Sequence, residues 1–289
     1  MFIPTGELIP IIKEAPLSAK LWATFFGFLW GFGGLTFGLS LRYLGVALGQ
    51  SIALGLCAAF GTLIPPVIAG ESLFATRGGI LTIIGVAITV AGIIIIGYAG
   101  ALKGKDMSEE EKRAAVREFA LKKGILIAIF SGIMSACFNF GYEFGKPIED
   151  VALAHGTNPL YQKNPTLIFI LLGGFITNFL YCVFLNIKNK TYRDYITVPA
   201  DILSNNLFYT FIAGFLWFLQ FHFFGMGSSK LPEGMAVFGW SILMALNIAI
   251  ANIWGIVLKE WKGASSKTIL ILITGIVVLI LSAFVVKLG

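Results

Sequence analysis

The residues best suited to bind a small molecule stand inside long apolar runs. In the run over 124–142, Gly132, Ser135, Asn139, Tyr142 and Glu143, with Lys146 just beyond, recur at spacings of three and four. At 100° per residue this places them on a single stripe of a helix. A second run carries Asn206, Thr210, Ala213, Gly214, Trp217, Gln220, Phe221 and Phe224 within one arc, with Trp217 and Gln220 as its chemical centre. Trp240, Met244 and Asn247 share one side of a third run, Trp30 stands beside Gly27 and Gly34, and Gln50 opens another. Amides donate to and accept from hydroxyls, and an indole face packs on the C–H side of a sugar ring. The set Trp30, Asn139, Tyr142, Trp217, Gln220, Trp240 and Asn247 therefore suits a small neutral sugar. Interhelical packing is the competing use of each amide and each indole.

Every Arg and Lys lies near the end of a run, which speaks against a charged substrate. Two ionisable groups are candidates for moving a proton. Glu143 closes the polar stripe and can face the same cavity as Asn139 and Tyr142, unless Lys146, one turn on, holds it in an ion pair. His222 stands mid-run, but about 140° around the helix from Trp217, which favours packing or a lipid edge. No metal or cofactor is expected: Cys57, Cys137 and Cys182 are odd in number, lie inside runs and lack metal-ligand spacing. The loop GKPIEDVALAHGTNPLYQKN holds one His and two acids but no nucleophile, so the chain does not read as an enzyme.

The elements that must position these groups follow from composition. Of the 289 residues, 57% are apolar and only 12% charged, which defines a membrane protein. Eight charge-free runs are long enough to cross about 30 Å of hydrocarbon. They lie near 21–40, 46–69, 79–98, 124–142, 166–186, 202–224, 234–257 and 268–286, and Trp22, Tyr98, Tyr181 and Trp261 near their ends suit headgroup anchoring. The first twenty residues, with Glu7, Glu14 and three prolines, lack the basic start and apolar core of a cleavable signal. A net charge of +6 is scattered over loops rather than gathered for nucleic acid. Placing both termini outside puts 14 of the 21 Lys and Arg on the cytoplasmic side, as the positive-inside bias requires. The charged segment 103–123 then reads as a cytoplasmic linker with a short capped surface helix after Ser108. Pro65 and Pro66 are expected to bend or end the second run, and Glu71 and Glu260 to meet polar groups at run ends.

One phrase is written twice: GFLWGFGGLTFG at 27–38 and GFLWFLQFHFFG at 214–225. The match extends from Leu44 to Leu231, from Glu71 to Glu260 and from Gly85 to Gly275, so the first three runs correspond to the last three. The second copy begins five runs after the first, an odd number, so the two cross the membrane in opposite senses. Inverted repeats are the architecture of secondary transporters. The second copy is preceded by two runs and the first by none, so a complete molecule is expected to have five plus five.

The motifs LRYLG at 41–45, GKP at 145–147, WFLQF at 217–221 and LKEW at 258–261 add a resemblance. From about residue 21 onward the chain resembles the L-rhamnose-proton symporter family of the drug/metabolite transporter superfamily. The resemblance implies ten helices and proton-driven sugar uptake at the inner membrane, with the sugar and a proton as its partners beside membrane lipid. On this reading the first two helices of the family pattern are expected to be absent from the sequence.

The expectation is thus an all-α integral membrane protein of eight transmembrane helices, an incomplete five-plus-five inverted repeat. It divides into a flank (1–20), a three-helix first repeat (21–98), a charged linker (99–123) and a five-helix second repeat (124–289). An exporter or an uncoupled facilitator of the same superfamily is the alternative. The topology is checked by a cysteine at Ser108. In intact cells it should resist a membrane-impermeant thiol reagent, and labelling there would reverse the orientation.

Overall fold

Hydrocarbon offers no hydrogen bonds, so a segment crossing it must satisfy its own backbone, and a helix does so within one segment. The computed structural model describes residues 5–44, 46–68, 70, 74–75, 77–106, 120–231, 238–257, 261 and 263–287, and among these there is no strand. Its α-helices are α1 (Thr5–Glu14), α2 (Leu17–Leu44), α3 (Val46–Ile68), α4 (Arg77–Asp106), α5 (Leu121–Phe144), α6 (Lys146–Ala154), α7 (Asn164–Asn189), α8 (Asp194–Thr197), α9 (Ala200–Ser228), α10 (Phe238–Val257) and α11 (Ser266–Lys287). In its described residues, each of the eight expected runs falls on a helix. Among the described residues six helices are long and apolar enough to span a membrane, and shorter apolar stretches lie in α10 and α11.

Several boundaries differ from expectation. The flank is itself helical, through α1 and the start of α2, and α4 continues past residue 98 to Asp106. Pro65 and Pro66 sit in the last turn of α3, which ends at Ile68. The expected surface helix within 103–123, beyond Asp106, and both Glu71 and Glu260 fall outside the described residues.

α2 is the centre of the packing. It runs antiparallel to α5: Trp22 meets Phe144, Phe26 meets Phe140, and the Ser131 hydroxyl donates to the Gly33 carbonyl at 2.9 Å. It runs parallel to α7, where the Thr177 hydroxyl donates to the Phe28 carbonyl at 2.7 Å. Glycines allow the approach. A β-carbon on Gly27 would stand 2.1 Å from the Ile170 carbonyl oxygen, and one on Gly173 would stand 2.0 Å from that of Thr24. α3 lies beside α5 and carries the contact on to α10. α4 and α11 cross antiparallel: Thr89 donates to Ser282 at 3.0 Å, Gly92 faces Leu279, and Gly275 faces Ile96.

α9 is the exception. Phe221, His222, Phe224, Gly225 and Ser228 are buried, but nearly every described side chain from Ala200 to Phe218 is exposed. In hydrocarbon that exposure costs little for Phe or Leu, but Asn205, Asn206 and Thr210 lie on the same bare stretch.

Gly27→Leu should therefore be severe, because the atoms it strikes are backbone and cannot rotate away. Overpacking costs about 1–3 kcal/mol, and this site belongs at the upper end. Gly34→Leu, where nothing lies within 4 Å of the new side chain's first carbon, should be neutral. Thermal unfolding in detergent measures both, and equal midpoints would contradict the α2–α7 contact.

Candidate functional site

The middle of the bundle is an aromatic cluster built on Phe138 of α5. Its ring lies 4.9 Å from Trp30 of α2, 4.4 Å from Phe221 of α9, 5.2 Å from Trp240 of α10 and 5.4 Å from Tyr142 one turn on. Trp30 in turn stacks on Trp217 of α9, with centroids 5.5 Å apart and planes 8° apart. Trp217 is 49% exposed and Trp30 partly buried, so the stack has one partly covered and one open indole. Trp30, Tyr142, Trp217 and Trp240, chosen from four separate runs, are thus brought together. Gln220, one turn after Trp217, is half-buried, as are Asn247 on α10 and Gln50 on α3.

Two of the expected binding groups already have structural employment. Asn139 Nδ2 donates to the Gly61 carbonyl at 2.7 Å. That carbonyl lies four residues before Pro65, which has no N–H to give it, so Asn139 satisfies the acceptor that the proline leaves open. The Trp240 indole N–H donates to the Cys57 carbonyl at 3.1 Å, which ties α10 to α3.

The stripe on α5 divides. Gly132 and Asn139 face α3, Ser135 lies against Gly33 of α2, and Tyr142 is buried with its hydroxyl unbonded. Glu143 forms an ion pair with Lys146, which belongs to the next helix after the break at Gly145. His222 lies off the aromatic cluster, as its angle on the helix requires. Its Nδ1 is 3.2 Å from Asn164 Oδ1, and its ring stacks on Tyr161 at 6.1 Å.

A second polar group, missed by sequence reasoning, sits at the α5–α6–α7 end. Glu149 of α6 is buried and pairs with Lys163, just before α7, at 3.4 Å. The Lys163 ammonium also stands 5.0 Å over the Tyr142 ring. The available signal was the spacing of Ile148, Glu149 and Ala152, which puts a carboxylate on the buried face of a short amphipathic helix. A reading that ends the run at 142 assigns it to a loop.

Outside this pair, α1 docks on α6. Ile11 packs on Ala152, and His155 bridges two acids of α1, Nε2 to Glu14 at 2.8 Å and Nδ1 to Glu7 at 3.3 Å. Donation to the Glu14 carboxylate, then to that of Glu7, raises the imidazole above its ordinary 6.5. Among the described residues no cluster of His, Cys, Asp and Glu could hold a metal ion.

A multi-pass helical membrane protein, with an aromatic centre open on one side and a buried ion pair at one end, is the class that this geometry defines. The model of one family, the L-rhamnose-proton symport protein, matches residues 11–289. The L-rhamnose-proton symporters of Yersinia pestis (strain Pestoides F) and Yersinia pseudotuberculosis serotype O:1b are each 36% identical over 268 residues, 91% of this chain and 76% of theirs. No solved structure matches significantly. The chain belongs to the L-rhamnose-proton symport protein family.

The docking of α1 should depend on pH. A histidine raised in the folded state lends its full stabilisation below its ordinary 6.5 and loses it as pH climbs through the raised value. A cysteine at Ile11 should be protected from thiol reagents at mildly acid pH, relative to the same cysteine in a His155→Gln background. The difference between the two should shrink as pH rises through the raised value, and a difference that grew with pH would contradict the bridge.

Proposed function

We propose that the chain takes up L-rhamnose, or a closely similar neutral sugar, together with a proton. The observation that carries this is the Trp30–Trp217 stack with its open indole, beside Gln220, in a chain whose relatives are named L-rhamnose-proton symporters. An indole face accepts the apolar side of a deoxy sugar, including its methyl, and Gln220 supplies both a donor and an acceptor for hydroxyls. Asn139, Tyr142, Trp240 and Asn247 frame the same region, the first and third by holding α3 to α5 and α10.

The reading includes a mechanism of alternating access by an inverted repeat. Three contacts support it. Trp30 and Trp217 occupy the same place in the repeated phrase and stack on each other, as two copies related by an axis between them would. Adding the 190-residue offset that relates Gly85 to Gly275 turns Thr89 into 279 and Gly92 into 282. The contacts Thr89–Ser282 and Gly92–Leu279 are therefore images of one another. The axis would pass through the α2–α9 stack and the α4–α11 crossing.

The same relation assigns a role to bare α9. Its counterpart α2 is enclosed by α5 and α7, so the exposed part of α9 is proposed to seat two further apolar helices equivalent to them. The orientation proposed for the chain puts both termini outside, and the α5–α6 junction then faces outward, where protons enter. Glu143 meets solvent there against Lys146, and His222 stands across the start of α7. Both are placed to influence coupling.

Uptake of labelled rhamnose into cells expressing the chain, with and without a collapsed proton gradient, tests the function. Equilibrium exchange that survives collapse while accumulation does not separates symport from facilitation. Gln220→Leu should leave a substrate hydroxyl unpaired, at a cost of about 1–3 kcal/mol, or about 5- to 150-fold in apparent affinity. An unchanged affinity would remove Gln220 from the site.

A further inference from the structure

We infer that Glu149, paired with Lys163 beneath Tyr142, is the carboxyl that binds and releases the coupled proton, and that the pair gates the outward end of the bundle. The inference rests on the proton-symport reading, yet it names a residue that neither the stripe on α5 nor the family assignment points to.

Burial is the first ground. Glu149 is 6% exposed, and the Lys163 side chain is 12% exposed. Two buried ions at 3.4 Å compensate each other, but removing either charge leaves the other uncompensated in a poor solvent for ions. The arrangement is therefore responsive to a single proton. When Glu149 takes one up, no charge holds Lys163 in place, and the segment that carries it gains a reason to move. When the proton leaves, the pair closes again. The step balances: one proton enters from the outer solution onto the carboxylate, and the same proton departs to the inner side.

The surroundings form the second ground. The charged and titratable groups facing Glu149 are Lys163 before α7, Lys146 on its own helix, Glu143 at the end of α5, and the Tyr142 phenol. The junction of α1 and α2 meets α6 through Ala15, Ala19 and Ile148, which are apolar. Glu143 is partly solvent-exposed, is held by Lys146 and lies near enough to influence Glu149.

The third ground is the link to the sugar region. Tyr142 has its ring under the Lys163 ammonium at 5.0 Å and its edge against Phe138 at 5.4 Å. Its hydroxyl is buried without a hydrogen bond, an uncommon expense in a folded protein. Gly225 of α9 lies beside both: a β-carbon there would stand 3.4 Å from Lys163 Cβ and 3.9 Å from Tyr142 Oη. α9 also carries Trp217 and Phe221 of the aromatic cluster. A change at Lys163 is thus felt by the helix that holds the open indole.

The test uses the purified full chain and infrared difference spectra across a pH titration, a readout that needs no sugar. Against the broad signal of the other Asp and Glu carboxyls, a distinct protonated-carboxyl band should appear as pH falls, persist in Glu143→Gln and be the component lost in Glu149→Gln. If Glu149→Gln does not fold, Glu149→Gln with Lys163→Met removes both charges and should lose the same band. A band that survives either folded variant, or is absent from the unmodified protein, overturns the inference. In vesicles, Glu149→Gln should lower rhamnose accumulation to the equilibrium ratio while retaining exchange, and full accumulation would equally sink it. If the unmodified protein shows the Glu149 band but transports no rhamnose, the proposed sugar is wrong and the proton site stands.

Discussion

Much of the structure depends on α2 lying in direct backbone contact with α7 while its other side meets α5. Hydrocarbon gives helices no hydrophobic reason to associate, so close packing and interhelical hydrogen bonds must hold them. Gly27 and Gly173 let the carbonyls of Thr24 and Ile170 stand where side chains would otherwise be. Ser131 and Thr177 then add hydroxyls to the carbonyls of Gly33 and Phe28. With α2 held this way, Trp30 projects onto Phe138, and Phe138 collects rings from α9 and α10. The aromatic centre follows from a contact between glycines that stands within a turn of Trp30 on α2.

The polar groups of the interior divide by what the backbone leaves undone. Asn139 serves the carbonyl freed by Pro65, and Trp240 serves that of Cys57, so both are spent on holding helices together. Trp217 and Gln220, on a helix with few neighbours, have no comparable structural duty. That contrast, more than residue type, is the ground on which they are proposed to meet a ligand. The charged groups divide similarly. Lys146 and Glu143 pair at the surface, where an ion pair is weak and easily exchanged, while Lys163 and Glu149 pair in the interior, where each depends on the other.

All-helical architecture, the six membrane-length apolar helices among the described residues and the family were legible in the sequence, because a long charge-free segment satisfies its own backbone in a bilayer as a helix. The repeated phrase already matched Trp30 with Trp217. The angle of His222 on its helix foretold that it would leave the aromatic face. What periodicity could not show was which neighbour each face would meet. The stripe from Gly132 to Lys146 is continuous on a helical wheel, yet it serves two different helices and then ends at a break.

Tertiary structure alone decided the rest, because it depends on contacts between segments far apart in the chain. Beyond its spacing with Ile148 and Ala152, nothing local to Glu149 marks it as a carboxylate with a buried partner. It becomes a buried carboxylate only because Gly145 brings α6 against Thr166, the apolar face of α6 meets Ala15 and Ala19, and Lys163 closes over it. Likewise the sequence shows α2 and α9 as equals, whereas in the fold one is enclosed and the other bare. Hydropathy is a property of one segment and determined which parts lie in the membrane. Burial of an ion pair is a property of at least three, and only their assembly could create it.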